Sequence, residues 1–247
     1  MRFADKSVFI TGGARGIGAE IARAFASEGA RVTVADIDEA EACTTAAAIG
    51  PAALGLGCDV SSRAKVAECM AQAEVQWGGI DVLFNNAGLH TRRYNSPVTQ
   101  ISEELWTQML QVNLMGAVNC ATVAAPMLAR RGGGVILNNS SVSGVDVRTA
   151  YGISKLAMRG LTVALAHELA GQGTRVNAIA PGLIRTDTVV NDLAPGHTEA
   201  FIDRAQLLKR PGLPSDLVGA VLFLCSDDAS FITAETLVVS GGYATCW

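Results

Sequence analysis

Two rhythms of apolar residues alternate along the chain. Ser7 to Thr11 and Arg31 to Ala35 are short β-branched runs that read as strands. Between them Ile17, Ile21, Ala24 and Phe25 recur at helical spacing over Ile17 to Ser27. The alternation continues with an Ala-rich helical stretch, a third strand Ala53 to Cys58, a helix Lys65 to Trp77 and a fourth strand Asp81 to Phe84. A long helix with room for a bend fits Glu103 to Arg130. Then come a fifth strand Gly134 to Asn138, a helix Ala150 to Ala170, a sixth strand Arg175 to Ile179 and a seventh over Leu237 to Val239. Strands this apolar are expected where helices cover both faces of a sheet. The repeating strand–helix order predicts a doubly wound, mostly parallel α/β sheet. No low-complexity or linker-like stretch divides residues 1–247, so one domain is expected. Residues 187–210 form a lid segment, loosened by Asn191, Pro195 and Gly196, with Phe201, Ile202, Leu207 and Leu208 available to close over an apolar ligand.

Composition narrows the functions open to such a sheet. The net charge is −4, which provides no basic face for nucleic acid. The first residues carry no apolar signal-type core, and no run of about 18 uncharged apolar residues marks a membrane span. A cytoplasmic protein is expected. The six cysteines form no Cys-x-x-Cys pair and read as small buried side chains. The three histidines, His90, His167 and His197, stand apart in sequence, and no metal site is expected. The C-terminal Trp247 is expected either to pack at a subunit interface or to fray.

The first strand runs into Thr11-Gly12-Gly13-Ala14-Arg15-Gly16-Ile17-Gly18, and a helix follows. Glycines there allow a tight turn and close approach of a pyrophosphate, which the helix N-terminus attracts. Asp36 closes the second strand, 18 residues after Gly18. A carboxylate in that place accepts hydrogen bonds from the adenosine ribose hydroxyls and repels a 2′-phosphate, favouring NAD. Arg15 pulls the other way, towards NADP, but acts less directly.

With these motifs the chain resembles the single-domain short-chain dehydrogenase/reductase family. Thr11-Gly12-x-x-x-Gly16-x-Gly18 has the family's glycine spacing. Asp59-Val60, Asn85-Asn86-Ala87-Gly88, Asn113, Tyr151-x-x-x-Lys155 and Pro181-Gly182-x-Ile184-x-Thr186 follow in the family's order. The resemblance implies a seven-stranded sheet in the order 3-2-1-4-5-6-7, a small-molecule substrate and a homotetramer or dimer. It implies NAD contacts from Gly12, Arg15, Gly16, Ile17, Gly18, Asp36 and Ile37, and from Asp59, Val60, Asn86, Ala87 and Gly88. Tyr151, Lys155, Pro181, Gly182, Ile184 and Thr186 complete that set.

Tyr151 and Lys155 lie one helical turn apart and share a face. A free tyrosine is a weak base at neutral pH, and a nearby ammonium together with an oxidised nicotinamide favours its phenolate. Tyr151 is then the expected general acid and base for a hydride transfer between a secondary alcohol and a ketone. The family resemblance adds Lys155 to the nicotinamide ribose and Asn113 to a water-mediated proton relay. Ser141, in Ser140-Ser141-Val142-Ser143-Gly144, is the expected partner of the substrate oxygen. It lies only ten residues before Tyr151. The family's longer gap points to Asn138 instead, thirteen residues back. The local motif favours Ser141, and the short loop is expected to trim one wall of the cleft. A small cyclic, aromatic or otherwise apolar substrate is expected. The alternatives are an NADP-linked β-ketoacyl reductase and a non-catalytic nucleotide sensor.

Overall fold

The computed structural model describes residues 1–90, 92–94, 96–187, 189 and 197–243. Asn191, Pro195, Gly196 and Trp247 lie outside the described residues. Seven strands form one parallel sheet: β1 Ser7–Thr11, β2 Arg31–Asp36, β3 Ala53–Gly57, β4 Val82–Asn85, β5 Gly134–Asn139, β6 Thr174–Pro181 and β7 Thr236–Val239. Their order is β3-β2-β1-β4-β5-β6-β7, as the pattern and the resemblance predict. β1, fully buried, pairs with β2 on one side and β4 on the other. The strand order therefore reverses between β1 and β4, which opens a crevice at their carboxyl ends.

Helices cover both faces. They are α1 Gly16–Ser27, α2 Glu39–Ile49, α3 Arg63–Trp77, α4 Glu103–Leu110, α5 Gly116–Arg130, α6 Ala150–Leu169, α7 His197–Ala205 and α8 Ser215–Cys225. Phe25 of α1 and Leu217 and Val221 of α8 pack on one face with Val8, Ile10 and Phe84. Met70 of α3, Ala124 and Leu128 of α5, and Leu169 of α6 pack on the other with Phe9, Leu83 and Ile136. This division matches the alternation of side chains along each strand.

The long helix over Glu103–Arg130 is interrupted by a π-turn at Gln111–Met115. By length and mean hydropathy it is long and apolar enough to cross a membrane, although no run of about 18 uncharged apolar residues marks it in the sequence. Half of its most apolar window is buried inside the fold, so its apolarity serves the core. Four of the five described cysteines are buried, but Cys43 is exposed, contrary to the expectation for all of them.

Candidate active site

The crevice is lined first by the glycine turn between β1 and α1. Gly12 and Gly16 have φ of +61° and +54°, a region costly for side chains. A Cβ on Gly18 would stand 2.1 Å from the Gly12 carbonyl oxygen. The first turn of α1 carries no side-chain cap and no acidic residue. Its amide groups and the positive end of its dipole therefore face the crevice unopposed. These features fit the pyrophosphate of a dinucleotide.

A polar staple closes the crevice at its base. The Thr11 hydroxyl accepts from the backbone N–H groups of Asn86 and Ala87, each at 3.1 Å. Asn86 Nδ2 donates to the carbonyls of Thr11 and Gly12 at 3.0 and 2.8 Å, and its Oδ1 accepts from Asn139 Nδ2 at 2.9 Å. Sequence reasoning quoted Thr11 only as a motif residue and missed Asn139. Periodicity carries no signal for either, because each acts across the sheet.

At the adenosine end, the Asp36 carboxylate is oriented by the backbone N–H groups of Ala14 at 3.1 Å and Asp38 at 3.2 Å. Ile37 beside it is 77% exposed, an apolar surface for an adenine ring. Arg15 pairs with Asp38 at 2.6 Å and Glu41 at 3.6 Å. Asp59 is tied to Ser61, and the Val60 carbonyl accepts from Asn119 at 3.0 Å. On the other side of the glycine turn, Thr186 lies against Gly16, where a Cβ would meet its methyl at 3.2 Å. Pro181 and Ile184 are buried, and Gly182 fits against Ser240, 2.7 Å from an added Cβ. A cavity of about 220 Å³ lies between Gly182–Ile184 and Gln206–Gly212. Neither Ser141, Tyr151 nor Lys155 lines it, so it adjoins the cofactor segment rather than the reactive hydroxyls.

The reactive end gathers on α6. Lys155, 4% exposed, donates from Nζ to the Asn139 carbonyl at 2.7 Å. Its Nζ lies 5.8 Å from the centre of the Tyr151 ring. Gly88 leaves room beside it, since a Cβ there would stand 3.5 Å from Nζ. Ser141 is the neighbouring side chain that lowers the Tyr151 phenol against its burial. Ser140 points elsewhere, donating to the Lys155 carbonyl at 2.8 Å. Asn138 belongs to a buried ladder, accepting from Asn85 Nδ2 and donating to Thr162 Oγ1, both at 2.9 Å. Of the two positions weighed from sequence, Ser141 is thus the one beside Tyr151.

The short loop fits because two glycines remove side chains from its contacts. A Cβ on Gly144 would meet the Lys155 carbonyl carbon at 2.6 Å, and one on Gly152 the Ser143 carbonyl oxygen at 2.6 Å. The 3-10 turn Val142–Gly144 is capped by Ser141 Oγ, which accepts from Ser143 N–H at 3.1 Å.

The Asn113 amide is engaged with its surroundings on both its atoms. Nδ2 donates to the Leu89 carbonyl and to Ser154 Oγ, while Oδ1 accepts from Leu89 N–H at 2.7 Å. Fully buried in the π-turn, it clamps the loop after β4 to α6. His90, set aside in the sequence for want of a partner, stands edge-on to Tyr151 with ring centres 6.3 Å apart.

The electrostatics also differ from expectation. Burial pushes the Tyr151 phenol up to about 12, only partly opposed by the Ser141 side chain. Burial likewise draws Lys155 down to about 8. Desolvation of the phenolate outweighs the nearby ammonium, whose own charge burial disfavours. The chain alone therefore holds a neutral phenol beside a weakened cation. That arrangement can donate a proton, and a positive charge brought alongside would let it accept one.

Comparison with known proteins follows the same lines. A family model described as enoyl-(acyl carrier protein) reductase matches residues 12–244. Galactitol 2-dehydrogenase of Agrobacterium fabrum is 38% identical, with 98% of each chain covered. Sorbitol dehydrogenase of Cereibacter sphaeroides is 36% identical, again over 98% of each. A solved 7α-hydroxysteroid dehydrogenase, complexed with NADH and 7-oxo glycochenodeoxycholic acid, superposes with a TM-score of 0.92 at 32% identity. The match covers 98% of this chain and 96% of that one.

Proposed function

The chain belongs to the short-chain dehydrogenase/reductase family, and from that premise we propose that it interconverts a secondary alcohol and a ketone using NAD, with Tyr151 moving the proton. One observation carries the reading: Tyr151 stands beside Lys155, whose Nζ would lie 3.5 Å from a Cβ on Gly88, next to Ala87, which packs on Gly12 of the glycine turn. When bound, the nicotinamide supplies or accepts the hydride. In reduction, Tyr151 gives its proton to the carbonyl oxygen, and in oxidation it takes the proton from the alcohol. Ser141 holds that same oxygen in line. Lys155 holds the nicotinamide ribose hydroxyls and keeps positive charge beneath the phenol.

NAD is favoured over NADP by the charges near Asp36. Asp36, Asp38, Glu39 and Glu41 cluster there, and the cation of Arg15 is already engaged by two of them. Such a wall repels a 2′-phosphate. Leu207 and Leu208 are exposed, Ile202 is buried and the Phe201 side chain lies outside the described residues. The relatives' names direct the panel towards polyols and hydroxysteroids. Exposed Leu156 and Val163 on α6, with Phe231 and Leu237 beside β7, support a homodimer or homotetramer.

The test is nicotinamide absorbance with NAD and NADP over galactitol, sorbitol, a 7α-hydroxy bile acid, cyclic and benzylic alcohols and their ketones. An α,β-unsaturated thioester completes the panel. Turnover with NAD that collapses in Tyr151→Phe is expected. Full activity in that variant, or a preference for NADP, refutes the corresponding part of the reading. Turnover of the thioester alone would favour the activity by which the matching family model is described. NAD binding without any turnover would point to a nucleotide sensor.

A further inference from the structure

Tyr151, Lys155 and Arg159 are spaced four residues apart on α6 and share one face. Arg159 is the member of this series with no place in the chemistry above. Its guanidinium turns back towards the site, and Nη1 donates to the Gly144 carbonyl at 3.1 Å. Its Nε is buried and, among the described residues, has no partner. An arginine free to enter solvent would not leave a donor orphaned, since a buried unpaired N–H is costly. The inward pose is therefore held by the contact with Gly144.

Gly144 ends the 3-10 turn that Ser141 begins and caps. It also rests on the backbone of α6 at Lys155, with no room for a Cβ. The carbonyl that Arg159 grips is thus three residues from the hydroxyl beside Tyr151. In a loop this short, few bonds could swing before moving Ser141.

We propose that Arg159 is a positioning residue that sets the place of the Ser141 hydroxyl against Tyr151 by anchoring the loop at Gly144. This rests on the reading of Ser141 and Tyr151 given above.

The test separates the two. The protein is labelled with ¹³Cζ-tyrosine, which gives resonances from Tyr94, Tyr151 and Tyr243, assigned by Tyr151→Phe. The Tyr151 shift reports the surroundings of its hydroxyl at neutral pH, with no need of a known substrate. Arg159→Met keeps the stem and removes the donors. It should move the Tyr151 resonance in the same direction as Ser141→Ala. On a Ser141→Ala background it should add nothing. Arg159→Lys should restore part of the shift. If Arg159→Met does not fold, Arg159→Gln, too short to reach the carbonyl, takes its place. Where a substrate turns over, kcat should fall roughly ten- to a hundredfold in Arg159→Met with NAD affinity unchanged. A lower melting temperature with an unmoved Tyr151 resonance would overturn the proposal, as would a shift that adds to that of Ser141→Ala. A resonance unmoved by Ser141→Ala itself would instead overturn the reading of Ser141.

Discussion

The two ends of the crevice are held by different physics. At the cofactor end, polar groups from distant elements meet in a hydrogen-bonded network. Thr11 on β1, Asn86 after β4 and Asn139 on β5 are joined across the switch point, although Asn139 Oδ1 is buried without a partner among the described residues. At the reactive end the loop carrying Ser141 is held by close packing, with Gly144 and Gly152 pressed against carbonyl groups and carbonyl carbons, and by one bond from Arg159. Bonds in a network share strain, whereas a packed loop shifts as a unit when one contact is filled. The cofactor end should therefore govern binding, and the reactive end kcat.

Substitutions can break that division. The largest effect is expected for Gly18→Ala, whose methyl would meet the Gly12 carbonyl oxygen, a backbone atom with no rotamer to escape by. NAD affinity measured calorimetrically should drop by more than about 100-fold, roughly the weight of one misplaced cradle. Thr11→Val comes next. It leaves two N–H groups without an acceptor, for a loss of about 2–4 kcal/mol in urea unfolding and weaker NAD binding. Gly152→Ala should lower kcat on the order of 10-fold or more while NAD affinity holds, because the methyl pushes the Ser143 carbonyl and with it Ser141. If Gly152→Ala instead lost NAD and kept its kcat, the contrast between the two ends would fail.

The most specific effect concerns charge. Lys155 titrates near 8 in the fold against 10.5 unfolded. The unfolded chain therefore binds more protons between those values, and stability should rise with pH across that window. Lys155→Met removes this group, so its stability curve from pH 8 to 10.5 should be flatter than wild type by roughly 3 kcal/mol. A parallel pair of curves would mean that Lys155 is not desolvated.

Much of this was legible in the sequence, for identifiable reasons. All seven strands lie within two residues of the short runs read as strands, because a sheet covered on both faces writes apolar segments, although β3, Ala53–Gly57, holds no β-branched residue. The bend in Glu103–Arg130 was anticipated, but not its form as a π-turn that buries Asn113. The exposed Cys43 was misjudged, and the contact of His90 with Tyr151 was not foreseen, for a common reason: a residue's neighbours in space are not its neighbours in the chain. The choice between Ser141 and Asn138 turned on the path of a short loop. Spacing counts residues there without saying which way each side chain faces.

By itself, then, the sequence determined the doubly wound sheet, the glycine cradle, the carboxylate closing β2 and the shared face of Tyr151 and Lys155. All of these follow from local period or from backbone freedom at glycine. Only the tertiary structure decided that Ser141 lies beside Tyr151, that the Asn113 side chain joins Leu89 to Ser154, and that Thr11, Asn139 and Arg159 hold the parts together. Those roles rest on hydrogen bonds between residues as many as 75 or 76 positions apart, and strand register and burial choose such partners.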